Sequence, residues 1–249
     1  MSREIEPNTR DDSQYAGMDL QEYPFAVLQN SHDEPETYCL DVIAPLEKSD
    51  VPRPVVIFVH GGGFIRRCDK RQGYIPVFAR DLTKAGYVVV SPDYPVFDDF
   101  DHRDACGGLK AGADRAAEAV HATYQYIQQN AHALNLDTSR VAIMGGSAGG
   151  MAGFAAIANY DDKYRLFVNC WGSPHDLPDL NGFPPVLSIH GTEDQSVDYN
   201  LEQPIQDQLE ALGIRHELIT LEGSRHTPMD RFEEFIPTVL SYLTDTMQY

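Results

Sequence analysis

Hydrophobic and polar positions change rhythm twice along the chain. Residues 1–22 are rich in carboxylates and show no period, which predicts an acidic N-terminal arm, flexible or capping, ahead of one domain over residues 23–249. Tyr23–Gln29 and Thr37–Ala44 then read as β-runs. The break between them, Asn30-Ser31-His32-Asp33-Glu34-Pro35, is made of turn residues, so the pair predicts an antiparallel hairpin. From Pro54 onward strands and helices alternate. Val55-Val56-Ile57-Phe58-Val59 is apolar without alternation, as expected of a strand covered on both faces. The pattern predicts a helix over Ile75–Ala85, stopped by Gly86, and strands at Tyr87–Val90 and Arg140–Met144. Between those strands the alanine-rich stretch Ala111–Gln129 predicts a long helix. Further on come helices over Ala148–Asn159, Asn200–Leu212 and Phe232–Leu243, and strands at Leu166–Trp171, Val186–Ile189 and Glu217–Leu221. Alternation with short links predicts an α/β fold, a doubly wound and mostly parallel sheet with right-handed crossovers.

Composition narrows the picture. A length of 249 residues fits one α/β domain, and the 42% hydrophobic content is ordinary for a globular protein. The formal net charge of -19 disfavours nucleic acid and anionic membrane surfaces as partners. No apolar run approaches the roughly 20 residues of a membrane helix. The polar, acidic stretch Met1–Asp12 does not read as a secretory signal, so a cytoplasmic protein is expected. Cys39, Cys68, Cys106 and Cys170 are scattered without metal-type spacing. Reduced thiols are the simpler expectation, with Cys39 and Cys170 buried in strands.

Two glycine-rich segments carry candidate chemistry. Gly145-Gly146-Ser147-Ala148-Gly149 follows the Arg140–Met144 strand and opens a helix. A G-x-S-x-G turn in that context lifts a serine hydroxyl clear of the backbone, with the helix amide of Ala148 beside it. A Walker phosphate loop would require a lysine that is missing here, and a dinucleotide loop would belong to the first strand of its unit. The second segment, His60-Gly61-Gly62-Gly63-Phe64, follows the Pro54–Val59 strand. Bare glycine amides at Gly62 and Gly63, with that of Ala148, can receive the oxyanion of a tetrahedral intermediate. A carboxylate and a histidine should follow the serine in sequence. Asp194 ends the loop His190-Gly191-Thr192-Glu193-Asp194 after a strand, with Glu193 and Asp198 as rivals. His226 follows the last strand and is the candidate base. His216 sits within or before that strand, His190 reads as locally bonded, and His60 as support for its loop. His32, His102, His121, His132 and His175 lack a paired context. No metal site is expected, since no H-E-x-x-H or similar pair occurs.

Together these segments resemble the α/β-hydrolase esterases, the nearest groups being hormone-sensitive-lipase-like carboxylesterases and small bacterial acetyl- and feruloyl-esterase-like proteins. The resemblance covers about residues 37–243 and includes Val89-Val90-Ser91-Pro92-Asp93-Tyr94-Pro95, similar to a V-D-Y-R stretch with Pro95 at the arginine position. It implies an α/β-hydrolase fold, a Ser147–His226–Asp194 triad in which Asp194 is the fifth residue of H-G-x-x-D, and no cofactor. The implied activity is hydrolysis of short-chain, sugar-linked or aromatic acyl esters through an acyl-enzyme. An amide hydrolase such as an arylformamidase or small peptidase shares this chemistry, and a non-catalytic binding protein can share the scaffold.

Only Gly172–Pro184 separates two strands where such folds carry a lid, so a minimal lid is expected. Loops Phe64–Gly73 and Tyr94–Gly108, or the N-terminal arm, would cover the site instead. Phe64, Phe97, Trp171 and His175 are candidates to line its pocket. The basic cluster Arg66, Arg67, Lys70 and Arg71 either meets an anionic substrate or, the favoured reading, pairs with Asp98-Asp99-Phe100-Asp101. The partner expected is a small-molecule or saccharide ester; a homo-oligomer is one option for assembly.

Overall fold

A computed structural model of the chain describes residues 12–247. Eight strands form one sheet in the order β1-β2-β4-β3-β5-β6-β7-β8. The first two are β1 (Met18–Gln29) and β2 (Pro35–Pro45), an antiparallel hairpin with a register irregularity between Pro24 and Ala26. They are followed by β3 (Arg53–Val59), β4 (Val88–Pro92), β5 (Leu136–Gly146), β6 (Leu166–Cys170), β7 (Val186–Gly191) and β8 (His216–Leu221). From β4 to β8 every neighbouring pair is parallel, whereas β2 meets β4 antiparallel. The helices are α1 (Tyr74–Lys84), α2 (Phe100–Ala105), α3 (Gly108–Asn130), α4 (Ala148–Asn159), α5 (Glu202–Ala211) and α6 (Phe232–Thr246).

The unbroken apolar run of β3 is explained by cover on both faces. Val55, Ile57 and Val59 point into a core shared with α3, α4 and α5, including Ala116, Val120, Phe154 and Leu209. Val56 and Phe58 point into the opposite core, shared with α1 and α6 through Phe78, Phe235 and Val239. The six strands and five helices expected after Pro54 are all present, with ends shifted by a few residues. Short α2 was not anticipated. Its six residues bury none of their side chains, so no apolar stripe marks it in the sequence.

The hairpin reaches further than its apolar pattern. β1 begins at Met18, and Asp12–Tyr15 forms a 3-10 turn with Tyr15 buried. Of the N-terminal arm expected over residues 1–22, residues 1–11 lie outside the described residues. Cys170 is buried as expected, whereas Cys39 is only half-buried, and no disulfide joins the four cysteines.

The basic cluster is divided by burial rather than paired with one acidic stretch. Arg66 alone approaches Asp98, at 3.5 Å. Arg71 forks onto Asp41, with Nε 2.5 Å from Oδ2 and Nη2 3.0 Å from Oδ1, and its Nη1 reaches Asp12. Lys70 bonds Asp93 and lies 3.1 Å from Glu22. These pairs fasten the hairpin to the loop that precedes α1. The Asp41 side chain is fully buried. Burial pushes its carboxyl up, against the opposing pull of Arg71 and Lys70. Arg71→Met would strand that carboxylate. The expected loss is about 3 kcal/mol of unfolding free energy, read as a lower urea midpoint at unchanged slope.

Candidate active site

The parallel strands end together at one edge, where open α/β sheets collect their functional loops. β5 runs into Ser147, whose backbone has φ 55° and ψ -119°. A left-handed turn at a non-glycine residue is strained and persists only where its surroundings over-determine it. Here the Ser147 amide donates to Cys170 O at 2.9 Å, and Ser147 O accepts from Gly150 N at 2.9 Å as α4 begins. The flanking glycines are sterically required: a Cβ on Gly145 would lie 2.2 Å from Gly149 O, and one on Gly149 would lie 2.1 Å from Val59 O.

Ser147, His226 and Asp194 meet in one chain of hydrogen bonds. His226 Nε2 is 2.9 Å from Ser147 Oγ, and His226 Nδ1 is 2.7 Å from Asp194 Oδ2. Asp194 lies on the loop after β7 and His226 on the loop after β8. Backbone bonds from Thr192 N to Leu221 O and from Glu193 N to Ser224 O hold the two loops together. Of the rivals to Asp194, Glu193 is exposed, and Asp198 caps the following 3-10 turn by accepting from Asn200 N. His216 stays on β8, bonded to Ile214 O at 2.8 Å.

Sequence reasoning underrated the ground beneath this chain. The Asp194 side chain is fully buried, and its Oδ1 accepts from the amides of Ser196 and Val197 at 2.8 and 3.0 Å. His190 lies behind it, with Nε2 3.2 Å from Asp194 Oδ2 and Nδ1 3.1 Å from Glu202 Oε1. Burial opposes ionisation of Asp194, but the bonds from His190, His226 and the two amides outweigh it and hold the carboxyl well below the usual range. Burial likewise favours neutral His190, yet its two carboxylates push it up to about 9. His190 is therefore a buried imidazolium between two carboxylates. Glu202 had no signal in the sequence, because it opens α5 as an ordinary first-turn acid.

Gly62 and Gly63 adopt φ of 110° and 67° and line the cavity at Ser147 together with Ala148. Among the described residues no acceptor pairs with the amides of Gly62, Gly63 or Ala148. Their direction follows from the planar trans peptide, in which N–H and C=O point opposite ways. Gly61 O accepts from Tyr94 OH at 3.1 Å and lies 2.8 Å from His60 Nδ1, and Gly62 O accepts from Arg67 Nε at 3.3 Å. Each tied carbonyl turns the next amide away from its partner. Tyr74 OH accepts from Gly61 N at 2.7 Å and lies 3.5 Å from Gly146 O, so it bridges this loop and the serine turn. His60 is buried and stacked on Tyr94, and burial lowers its pKa.

The cavity beside Ser147 has a volume of about 500 Å³. None of the four aromatic and histidine candidates lines it. Phe64, Phe97 and Trp171 are fully buried. Phe64 fills the space that a Cβ on Gly112 of α3 would need, Phe97 bridges the backbone of Phe64 and Arg66, and Trp171 packs edge-on against Tyr74. His175 borders a separate cavity of about 220 Å³, which shares Met151 with the first. The loops expected to cover the site do so, but through Arg67, Cys68 and Gln72 and through Phe100 and Arg103, joined by Leu109 at the start of α3. No regular element forms between Gly172 and Pro185, so the lid is minimal. Three other histidines expected to stand alone are paired. His32 stacks on His102 with Nε2 3.0 Å from Asp98, and His121 Nδ1 is 3.0 Å from Asp162.

The fold is that of an α/β hydrolase, and its site joins a serine, a histidine and an aspartate in one chain of hydrogen bonds. The family model BD-FAE matches residues 40–171, more than half of the chain, and the chain belongs to that family. Its fold is shared with esterase Est2 of the planctomycete Thermogutta terrifontis, solved with propionate bound. That structure has a TM-score of 0.70 at 18% identity, over 93% of this chain and 95% of that one. The same esterase phosphonylated by cyclosarin gives 0.71 at 17% identity, over 93% and 95%. A truncated carbohydrate esterase from gut microbiota gives 0.68 at 17%, over 91% and 96%. No curated protein sequence matches the chain. No described helix is long and apolar enough to cross a membrane.

The buried His190 gives a pH signature. Its folded pKa lies above the ordinary value of 6.5, so its contribution to stability is complete below about pH 6.5 and is lost as pH rises through about 9. Unfolding free energy should fall over that window by an amount on the order of 3 kcal/mol. Chemical denaturation of His190→Gln should show that slope flattened.

Proposed function

We propose that this protein is a serine carboxylic-ester hydrolase acting on short-chain, sugar-linked or aromatic acyl esters. The observation that carries the reading is the unbroken hydrogen-bond chain from Ser147 Oγ through His226 to Asp194, beside open amides at Gly62, Gly63 and Ala148. In this reading Ser147 Oγ attacks the ester carbonyl as His226 Nε2 takes its proton. The carbonyl oxygen becomes an oxyanion and receives the three amides. Collapse of the intermediate breaks the C–O bond to the alcohol, which leaves with the proton held by His226. Water, deprotonated by the same imidazole, then attacks the acyl-enzyme, and the acid is released. Asp194 keeps the Nδ1–H tautomer and balances the imidazolium.

The minimal lid and the cavity of about 500 Å³ fit a small ester or an acylated sugar end. Kinship of fold with the Thermogutta esterase and the gut carbohydrate esterase supports the same chemistry. A binding-only protein would have no use for a strained serine turn aligned with an imidazole, which weighs against that reading. A cytoplasmic setting is consistent with four cysteines that form no disulfide.

Release of 4-nitrophenol from acetyl and butyryl esters tests the proposal. Ser147→Ala should lower kcat by about 10⁴-fold or more with an unchanged circular dichroism spectrum. A fluorophosphonate probe should label the wild type on Ser147 alone. An active Ser147→Ala variant would overturn the assignment.

A further inference from the structure

The chain carries 38 acidic and 19 basic residues, yet among the described residues no aspartate or glutamate lines the cavity at Ser147. Two arginines do, Arg67 and Arg103. Both lie over the ring of Phe100, with guanidinium carbons 5.2 and 5.0 Å from its centroid. Their states differ. Arg103 is bound on every side: Nη1 donates to Gly63 O at 3.2 Å, and Nε and Nη2 meet Asp104 Oδ1 at 2.8 and 2.7 Å. Arg67 spends only Nε, on Gly62 O at 3.3 Å. Its terminal nitrogens form no ion pair with any described carboxylate, whereas its neighbours Arg66, Lys70 and Arg71 all do.

An exposed arginine in an acid-rich protein would ordinarily have carboxylates within reach. Here the face it looks onto has been kept free of them, and its planar ring stacking fixes where the guanidinium points. Nη2 would lie 3.7 Å from a Cβ built on Gly63, which puts it at the edge of the proposed oxyanion site. Two donors on one guanidinium match the two oxygens of a carboxylate. We propose that Arg67 is a specificity-determining residue, and that the preferred substrates are esters bearing a second, ionised carboxylate. This rests on Ser147 acting as an ester-hydrolysing nucleophile, and it names the substrate class of that site. The carboxylate resides on the acyl part or on the alcohol part of the ester. The apolar neighbours Leu109, Met151 and Phe100 take the carbon skeleton between the reacting carbonyl and the charge.

The test compares charged esters with neutral isosteres. Monophenyl adipate against the phenyl ester of adipic acid monoamide probes the acyl side, and 4-acetoxybenzoate against 4-acetoxybenzamide probes the alcohol side. In the wild type, kcat/KM for the charged member of one pair should exceed that of its isostere by about tenfold at low salt, as one charge-assisted contact supplies. Whichever pair shows the preference identifies the part of the ester that carries the charge. The ratio should shrink towards one as salt approaches 1 M. In Arg67→Gln the ratio should collapse, and Arg67→Lys should restore part of it, whatever happens to the absolute rates. Equal kcat/KM within both pairs in the wild type would overturn the inference and leave the esterase reading standing. A preference that survives in Arg67→Gln would also overturn it. Hydrolysis of none of the four esters would overturn the esterase reading and this inference with it.

Discussion

The parallel pairing of β3 with β5 is the interaction on which the rest of the molecule depends. Val59 stands opposite Gly145, so the glycine loop after β3 and the serine turn after β5 leave the sheet side by side. A slip of one residue would reverse the faces of β3, sending Phe58 into the opposite core and carrying Gly61–Gly63 away from Ser147. Burial on both faces makes such a slip expensive. The same ruler acts at the far side of the sheet, where Gly191 stands opposite Leu221 and brings the loop of Asp194 against that of His226. Four loops from four strands therefore converge because their strands end in register.

Steric economy then tightens what register brings together. The serine turn, the glycine loop and β6 approach closely enough that glycine is demanded by backbone atoms of neighbours, notably at Gly145 and Gly149. Tyr74 and Tyr94 supply hydroxyls to the peptides on either side of Gly61. Both rings are packed into the core, so the rigidity of the core passes to the amides at the cavity. Phe64, Phe97 and Trp171 work from behind the site, as supports for its loops.

Charge is distributed by depth. The excess of acid lies largely on the surface, while the buried acids are each answered: Asp41 by Arg71, and Asp194 and Glu202 by His190. A buried histidinium between two carboxylates holds the orienting acid ionised from below, while His226 meets it from above. The cavity itself has the opposite sign, with Arg67 and Arg103 at its wall.

Much of this architecture was legible along the chain. The apolar run of β3, the alanine-rich α3, the G-x-S-x-G turn and the order Ser147, Asp194, His226 follow from local sequence, because strand burial, helix packing and a tight turn each demand particular residues at short range. The meeting of His226 with Ser147 was an expectation that only coordinates could examine. Glu202, Tyr74 and the separate fate of Arg67 left no local mark, since an acid in a first helical turn or an arginine in a basic cluster looks the same whether buried, paired or open. The pocket assignments of Phe64, Phe97 and Trp171 failed for the same reason. Apolar character says that a side chain will be buried, but whether it faces a cavity or a core depends on which distant element lies against it, and that is decided only when the sheet and its helices close.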